Sequence, residues 1–309
     1  MKIVFMGTPE FSLKILQALI DSEHEVVGVV TQPDKLVGRK QELTPTPVKL
    51  LAQSHDIPVF QPEKIKSDYN QVIEWLPDMI ITCAYGQIIP KVLLDYPTFG
   101  AINVHASLLP KYRGGAPIQH AIMNGDKETG ITIMYMAEKM DAGDIIARDK
   151  IKIEDKDNVG TLHDKLSTLG AKLLMRTLPT IFDRTNNRVI QNENFVTYAY
   201  NITKEDELID WSEEGEVILN KIRALNPWPG AYTIIDGKRF KIYEAEEVVR
   251  IHNIGPGQII RVYADAILVT TGGETCVKIC EGQLEGRKRQ SMKDILNGNH
   301  PFVENKKFE

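Results

Sequence analysis

A chain of 309 residues exceeds the usual size of one domain, so two units and at least one large core are expected. A formal net charge of -5 with 42% apolar residues fits a globular protein and argues against a broadly basic nucleic-acid coat. Three cysteines, Cys83, Cys276 and Cys280, are too few and of the wrong parity for a disulfide scaffold, and free thiols in a reducing compartment are expected.

The chain opens on "KIVFM", a strand's length of apolar residues before Gly7, Thr8 and Pro9 interrupt it. No later apolar run approaches the ~20 residues that span a bilayer, so a cytoplasmic protein with no membrane partner is expected. The amphipathic stretch "FSLKILQALIDS" follows, then the apolar runs "EVVGVVT", "DMIITCA" and "GAINVHA". Runs without polar alternation read as strands buried on both faces, and the helical stretches between them predict parallel crossovers. The fold expected is therefore α/β, a doubly wound sheet. Ligands of such sheets sit beyond the carboxyl ends of the strands, so Met6, Thr31, Ala84 and His105 are expected on one rim. Between Thr31 and Val48, "QPDKLVGRKQELTPTP" mixes prolines and both charge signs with no apolar period, which predicts a long exposed loop. Residues 159–183 have helical spacing and close the first domain, and the polar, Asn-rich stretch after them reads as a linker. A helix near "SEEGEVILNKIRAL" and short strand-like runs separated by glycine turns then predict a small antiparallel barrel. From Val217 onward 14 basic residues face 11 acidic ones, so this unit is mildly basic, with its densest cluster at Arg287, Lys288 and Arg289.

The chemistry concentrates in "INVHASLLPKYRGGAP", residues 102–117. Asn103 and His105 are two apart, so on a strand both project from one face and can converge on one ligand atom. An amide donor beside an imidazole suits a carbonyl oxygen that becomes negative during acyl transfer; the same pair could equally serve only the backbone where strand meets loop. Gly114 and Gly115 expose backbone amides that could cradle a planar or anionic ligand. Downstream, "MAEKMDAGDII" sets Asp141 in a turn before a strand, a source of carboxylate to orient His105. Cys83, inside an apolar run, reads as core, and Cys276 with Cys280 lack the further ligands a zinc site needs, so no metal is expected. Trp228, between two prolines, reads either as a packing anchor or as a platform for a base.

The stretch "NVHASLLPKYRGGAP", with "MDAGDI" after it and "MGTPEF" at the start, resembles the methionyl-tRNA formyltransferase family. The resemblance continues through "TQPDK", "TPTPVK", "IRALNPWPGAYT" and "ADAILV", over nearly the whole chain. It implies a Rossmann-like domain over residues 1–184 that takes 10-formyltetrahydrofolate as co-substrate, a linker at 185–203 and an OB-like β-barrel domain over 204–309 that helps hold methionyl initiator tRNA. By motif, Asn103, His105 and Asp141 match the catalytic residues, and Ser107, Leu108, Leu109 and Pro110 the folate-contacting segment. Arg39 and Lys40 match the insertion that approaches the tRNA acceptor stem, although "GRKQEL" is shorter and less basic than the usual form. Arg287 and Lys288 are further candidate tRNA contacts. Nothing in the sequence demands more than a monomer. Formylation of a small amine would leave the barrel without a purpose, a nicotinamide enzyme would want a G-x-G-x-x-G turn where "GTPEFS" stands, and a non-catalytic RNA-binding protein would leave the Asn, His and Asp idle.

Overall fold

The computed structural model describes residues 1–38, 41–250, 252–273 and 275–309; the candidate tRNA contacts Arg39 and Lys40 fall outside the described residues. In chain order the elements of the first part are β1 (Lys2–Gly7), α1 (Leu13–Ile20), β2 (Glu25–Val30), β3 (Lys35–Val37), β4 (Glu42–Thr44), α2 (Pro47–Ser54), β5 (Val59–Phe60), α3 (Asn70–Glu74), β6 (Met79–Cys83), α4 (Lys91–Asp95) and β7 (Ala101–His105). They continue with α5 (Pro117–Met123), β8 (Glu128–Tyr135), β9 (Ile145–Lys152) and α6 (Val159–Phe182). The chain divides into two units: Met1–Pro117 with Glu128–Lys152 and His163–Tyr200, and Ile118–Lys127 with Ile153–Leu162 and Asn201–Glu309.

The first unit is built on a seven-stranded sheet in the order β5-β2-β1-β6-β7-β8-β9. From β5 to β7 the strands are parallel, as continuous apolar runs demand: β6 is buried at all five positions and β1 at all but Lys2. The chain winds outward from β1 through β2 to β5, then returns to β6 beside β1, which creates the doubly wound switch point. The rim expected there is present. Thr8 Oγ1 and Gln32 Nε2 both donate to the Tyr85 carbonyl at 3.0 Å, tying together the ends of β1, β2 and β6. One core layer gathers Val4, Met6, Val30, Ile80 and Leu93, each fully buried and each contributing about 1.5–3 kcal/mol of hydrophobic stabilisation. Helix α1 turns Ile15, Leu16 and Leu19 inward at helical spacing. Thr46 caps α2, accepting from the Lys49 amide, with Pro47 in the first turn.

Two features depart from the sequence expectations. Beyond β7 the sheet turns antiparallel, through the β7–β8 and β8–β9 ladders. The stretch read as an irregular loop contains the hairpin β3–β4, closed at Gly38, whose φ of +75° suits the turn. Its strands are three residues each and fully exposed, with Leu36, Val37 and Leu43 facing outward, so no buried face imprints a period on the sequence. The stretch read as a linker is bonded to the first unit along part of its length: Val189 bridges Ile145, and Tyr198 bridges Arg113.

The second unit contains α7 (Gly215–Ala224), β10 (Ala231–Ile235), β11 (Lys238–Val249), β12 (Ile259–Val262), β13 (Ile267–Thr270), β14 (Thr275–Leu284), β15 (Gln290–Ser291) and α8 (Met292–Leu296). Its strands form an antiparallel sheet in the order β10-β11-β14-β13-β12, with β15 also paired to β14. The barrel expected here is not closed by a ladder between β10 and β12. The C-terminal segment spans the two edges instead: Ile259 N donates to Lys306 O at 2.8 Å, and Glu309 N donates to Ile234 O at 2.9 Å. Phe308 on that segment stacks on Trp211 with centroids 5.3 Å apart, and Phe240 meets Phe302 edge-on at 4.8 Å, so aromatic rings fill the interior. Ile218 and Ile222 of α7 complete this core. No described helix is long and apolar enough to cross a membrane.

Candidate active site

Strand β7 holds Asn103 and His105 between two neighbours whose registers decide what the side chains meet. Asn103 lies opposite Thr82 of β6 and Met134 of β8, and His105 opposite Thr132 of β8. Thr82 Oγ1 donates to Asn103 Oδ1 at 2.8 Å. Thr82 Oγ1 also lies 3.1 Å from Ile102 O and 3.3 Å from Met136 Sδ, so its one proton has three acceptors in reach, the amide oxygen being the nearest; no described residue accepts from Asn103 Nδ2. The His105 ring is 6% exposed, and its Nε2 lies 2.9 Å from the Tyr112 carbonyl. A carbonyl only accepts, so this contact puts the proton on Nε2. The other ring nitrogen, Nδ1, lies 3.7 Å from Asp141 Oδ2, beyond a direct hydrogen bond.

Asp141 sits in the loop between β8 and β9 with φ at +51°, in the left-handed region that a residue with a Cβ enters at a cost. Its Oδ2 accepts from the Gly114 amide at 2.9 Å. The glycine amide expected to cradle a ligand thus cradles this carboxylate. Gly114 has φ +128°, and a Cβ there would lie 2.4 Å from the Ala199 carbonyl, so the close approach admits no side chain. Asn103, His105 and Asp141, read from three places in the sequence, are therefore brought to one locality.

The loop after β7 is suspended from β8 through Thr132, whose Oγ1 donates to Ser107 O at 2.7 Å and accepts from Leu109 N at 3.1 Å. Ser107 Oγ turns back to Lys111 O at 2.7 Å, and Leu109 packs with Met134 and Ile145. Both residues are fully buried, so their side chains build the loop; Leu108 and Pro110 are the members of the segment that keep surface for a ligand. Cys83 is fully buried, and burial pushes its thiol up to about 12, which removes it as a nucleophile. Among the described residues no three His, Cys, Asp or Glu side chains gather as metal ligands. In the second unit Arg287 and Lys288 are exposed in the turn after β14 without an ion pair among the described residues. Arg289 beside them is occupied, pairing with Glu281 and lying 4.3 Å over the Tyr243 ring. Trp228 keeps 45% of its surface exposed.

Sequence reasoning missed the groups that hold the three side chains: Thr82, the Tyr112 carbonyl, and Arg113 with Gln191. Arg113 is the largest fully buried side chain, and it stands in the quoted stretch, so its residue type next to Gly-Gly was the available signal. Gln191 carried none.

The model of the formyl transferase family matches residues 1–178, and that of the formyl transferase C-terminal domain matches residues 201–300. A methionyl-tRNA formyltransferase of Bacillus licheniformis is 52% identical over 299 residues, covering 96% of this chain and 95% of the relative. One of Bacillus subtilis is 52% identical over 301 residues, covering 97% and 95%. Among solved structures, HypX from Aquifex aeolicus in complex with tetrahydrofolic acid shares the fold at a TM-score of 0.66 and 18% identity, over 95% of this chain; the chain spans 46% of that longer protein.

Proposed function

Since the chain belongs to the methionyl-tRNA formyltransferase family, we propose that it transfers the formyl group of 10-formyltetrahydrofolate to the α-amine of methionyl initiator tRNA, in the cytoplasm, at the site around Asn103, His105 and Asp141. The reaction forms a C–N bond from the amine to the formyl carbon, breaks the bond from that carbon to N10, and passes one proton from the amine to the departing nitrogen. No electrons change hands and no covalent enzyme intermediate is needed.

Asn103 Nδ2, which no described residue accepts from, donates to the formyl oxygen as that oxygen gains charge. His105 joins it by exchanging the Tyr112 carbonyl for the substrate, a tightening of contacts common between free and loaded sites. Asp141 keeps the ring oriented and balances the charge when the imidazole holds the proton on its way to nitrogen. Leu108 and Pro110 offer partly exposed apolar surface at the mouth of the loop, and Ser107 and Leu109 fix that loop's shape. The observation that supports the reading best is the orphan amide of Asn103 beside an imidazole–carboxylate pair, in a chain 52% identical along its length to proteins of this name. Arg39, Lys40, Arg287 and Lys288 are the proposed phosphate contacts for tRNA.

The test is a choice of acceptor. Purified protein with 10-formyltetrahydrofolate is given methionyl initiator tRNA, free methionine or a nucleotide-linked amino sugar in parallel. Formylation of the charged tRNA and neither small amine is expected; transfer to the amino sugar alone would reassign the chain to small-amine chemistry.

A further inference from the structure

Gln191 stands 50 residues from Asp141 in sequence, in the stretch that resembles a linker, yet it is 6% exposed and fully bonded. Its Nε2 donates to Asp141 O and to Gly143 O, each at 2.8 Å. Its Oε1 accepts from Arg113 Nη2 at 2.8 Å and Nε at 3.1 Å. Arg113 is fully buried and reaches out through Nη2 to Glu193 at 2.8 Å, and the backbone around it is stitched to the same stretch by Arg113 N to Thr197 O and Ala199 N to Arg113 O.

An amide side chain that spans the carbonyls on either side of the Asp–Ala–Gly turn does what the turn cannot do alone. Asp141 is held left-handed at φ +51°, a state disfavoured by about 1–3 kcal/mol for a residue with a Cβ. Gln191 satisfies the carbonyls that this conformation turns inward, and Gly114 N fixes the carboxylate, so backbone and side chain of Asp141 are clamped from opposite directions. We propose that Gln191 is a positioning residue for formyl transfer: through its two donated bonds, and with Arg113 holding its oxygen, it keeps the Asp141 carboxylate aimed at His105. This rests on the reading of Asp141 as part of the catalytic set.

Two variants separate clamping from general support of the fold. Gln191→Glu keeps the length and an acceptor for Arg113 but, as a carboxylate, cannot donate to the two carbonyls; Gln191→Ala removes everything. Their kcat for formyl transfer is measured beside the KM values for 10-formyltetrahydrofolate and charged tRNA, with unfolding curves to confirm the fold. Each is then repeated in an Asp141→Asn background, where the Gly114 contact still has an acceptor. Gln191→Glu should fall about 10- to 100-fold in kcat, the scale of a displaced catalytic group, with KM values moved less than about threefold. In Asp141→Asn the same change should lower kcat by less than about threefold, because the residue acts through the carboxylate already removed. Wild-type kcat in Gln191→Glu, a loss carried by KM, or the full loss persisting in Asp141→Asn would each overturn the proposal. An Asp141→Asn protein as fast as wild type would instead overturn the catalytic reading beneath it, so the two failures are distinguishable.

Discussion

Cys83 and Glu193 show how a residue's environment, more than its type, fixes what it does. Burial pushes the Cys83 thiol up to about 12, whereas Cys280 is partly exposed and its thiol is raised by burial and then by Glu246. Alkylation of the native protein at pH 8 should therefore leave Cys83 unlabelled until denaturant is added, with Cys280 the first thiol to react; rapid native labelling of Cys83, read by peptide mass, would mean that β6 opens. Glu193 is held down to about 2 by hydrogen bonds from Arg113 and then Lys139, against its ordinary 4.5. A depressed carboxylate adds stability that is complete above about pH 4.5 and lost as pH falls towards 2. Wild type should thus exceed Glu193→Gln in stability at pH 7 by a small, salt-screened margin, since the carboxylate is exposed, and the two unfolding curves should converge on acidification through that window.

The loop joining β8 to β9 is set by the close approach of its own ends. Tyr135 N donates to Asp144 O at 2.9 Å, and a Cβ on Gly143 would lie 1.8 Å from the Tyr135 carbonyl, so only glycine lets the ends meet. Gly143→Ala should destabilise the protein by about 1–3 kcal/mol in denaturant unfolding and should also depress formyl transfer, because the displaced backbone carries Asp141 with it. Loss of stability with wild-type kcat would detach this turn from the site. The parallel strands β1, β2, β6 and β7 were legible because burial, complete along β6 and nearly so along β1, leaves mostly apolar runs. The exposed hairpin β3–β4 was not, since three-residue strands facing solvent leave no pattern. The same limit applies within the site. Asn103 and His105 could be paired from strand periodicity, but Thr82 is 21 residues from Asn103, and Gln191 is 78 from Arg113, partnerships that only the register of β6 with β7 and the path of the 189–199 stretch create.

The proposed activity draws on both units: Asn103, His105 and Asp141 stand in the first, and Arg287 and Lys288 are exposed cations of the second. If those two cations meet phosphates, Arg287→Ala with Lys288→Ala should weaken tRNA binding across salt concentrations and lower the salt slope of log K by about 1.4–1.8, with transfer at saturating tRNA little changed. An unaltered slope would move the phosphate contacts elsewhere. The chemistry is tested most directly by turnover of Asn103→Ala with 10-formyltetrahydrofolate and saturating methionyl initiator tRNA, on protein whose unfolding matches wild type. The account predicts a fall of about a hundredfold in kcat, the loss of one donor to a developing oxyanion. Wild-type turnover in that folded variant would contradict it.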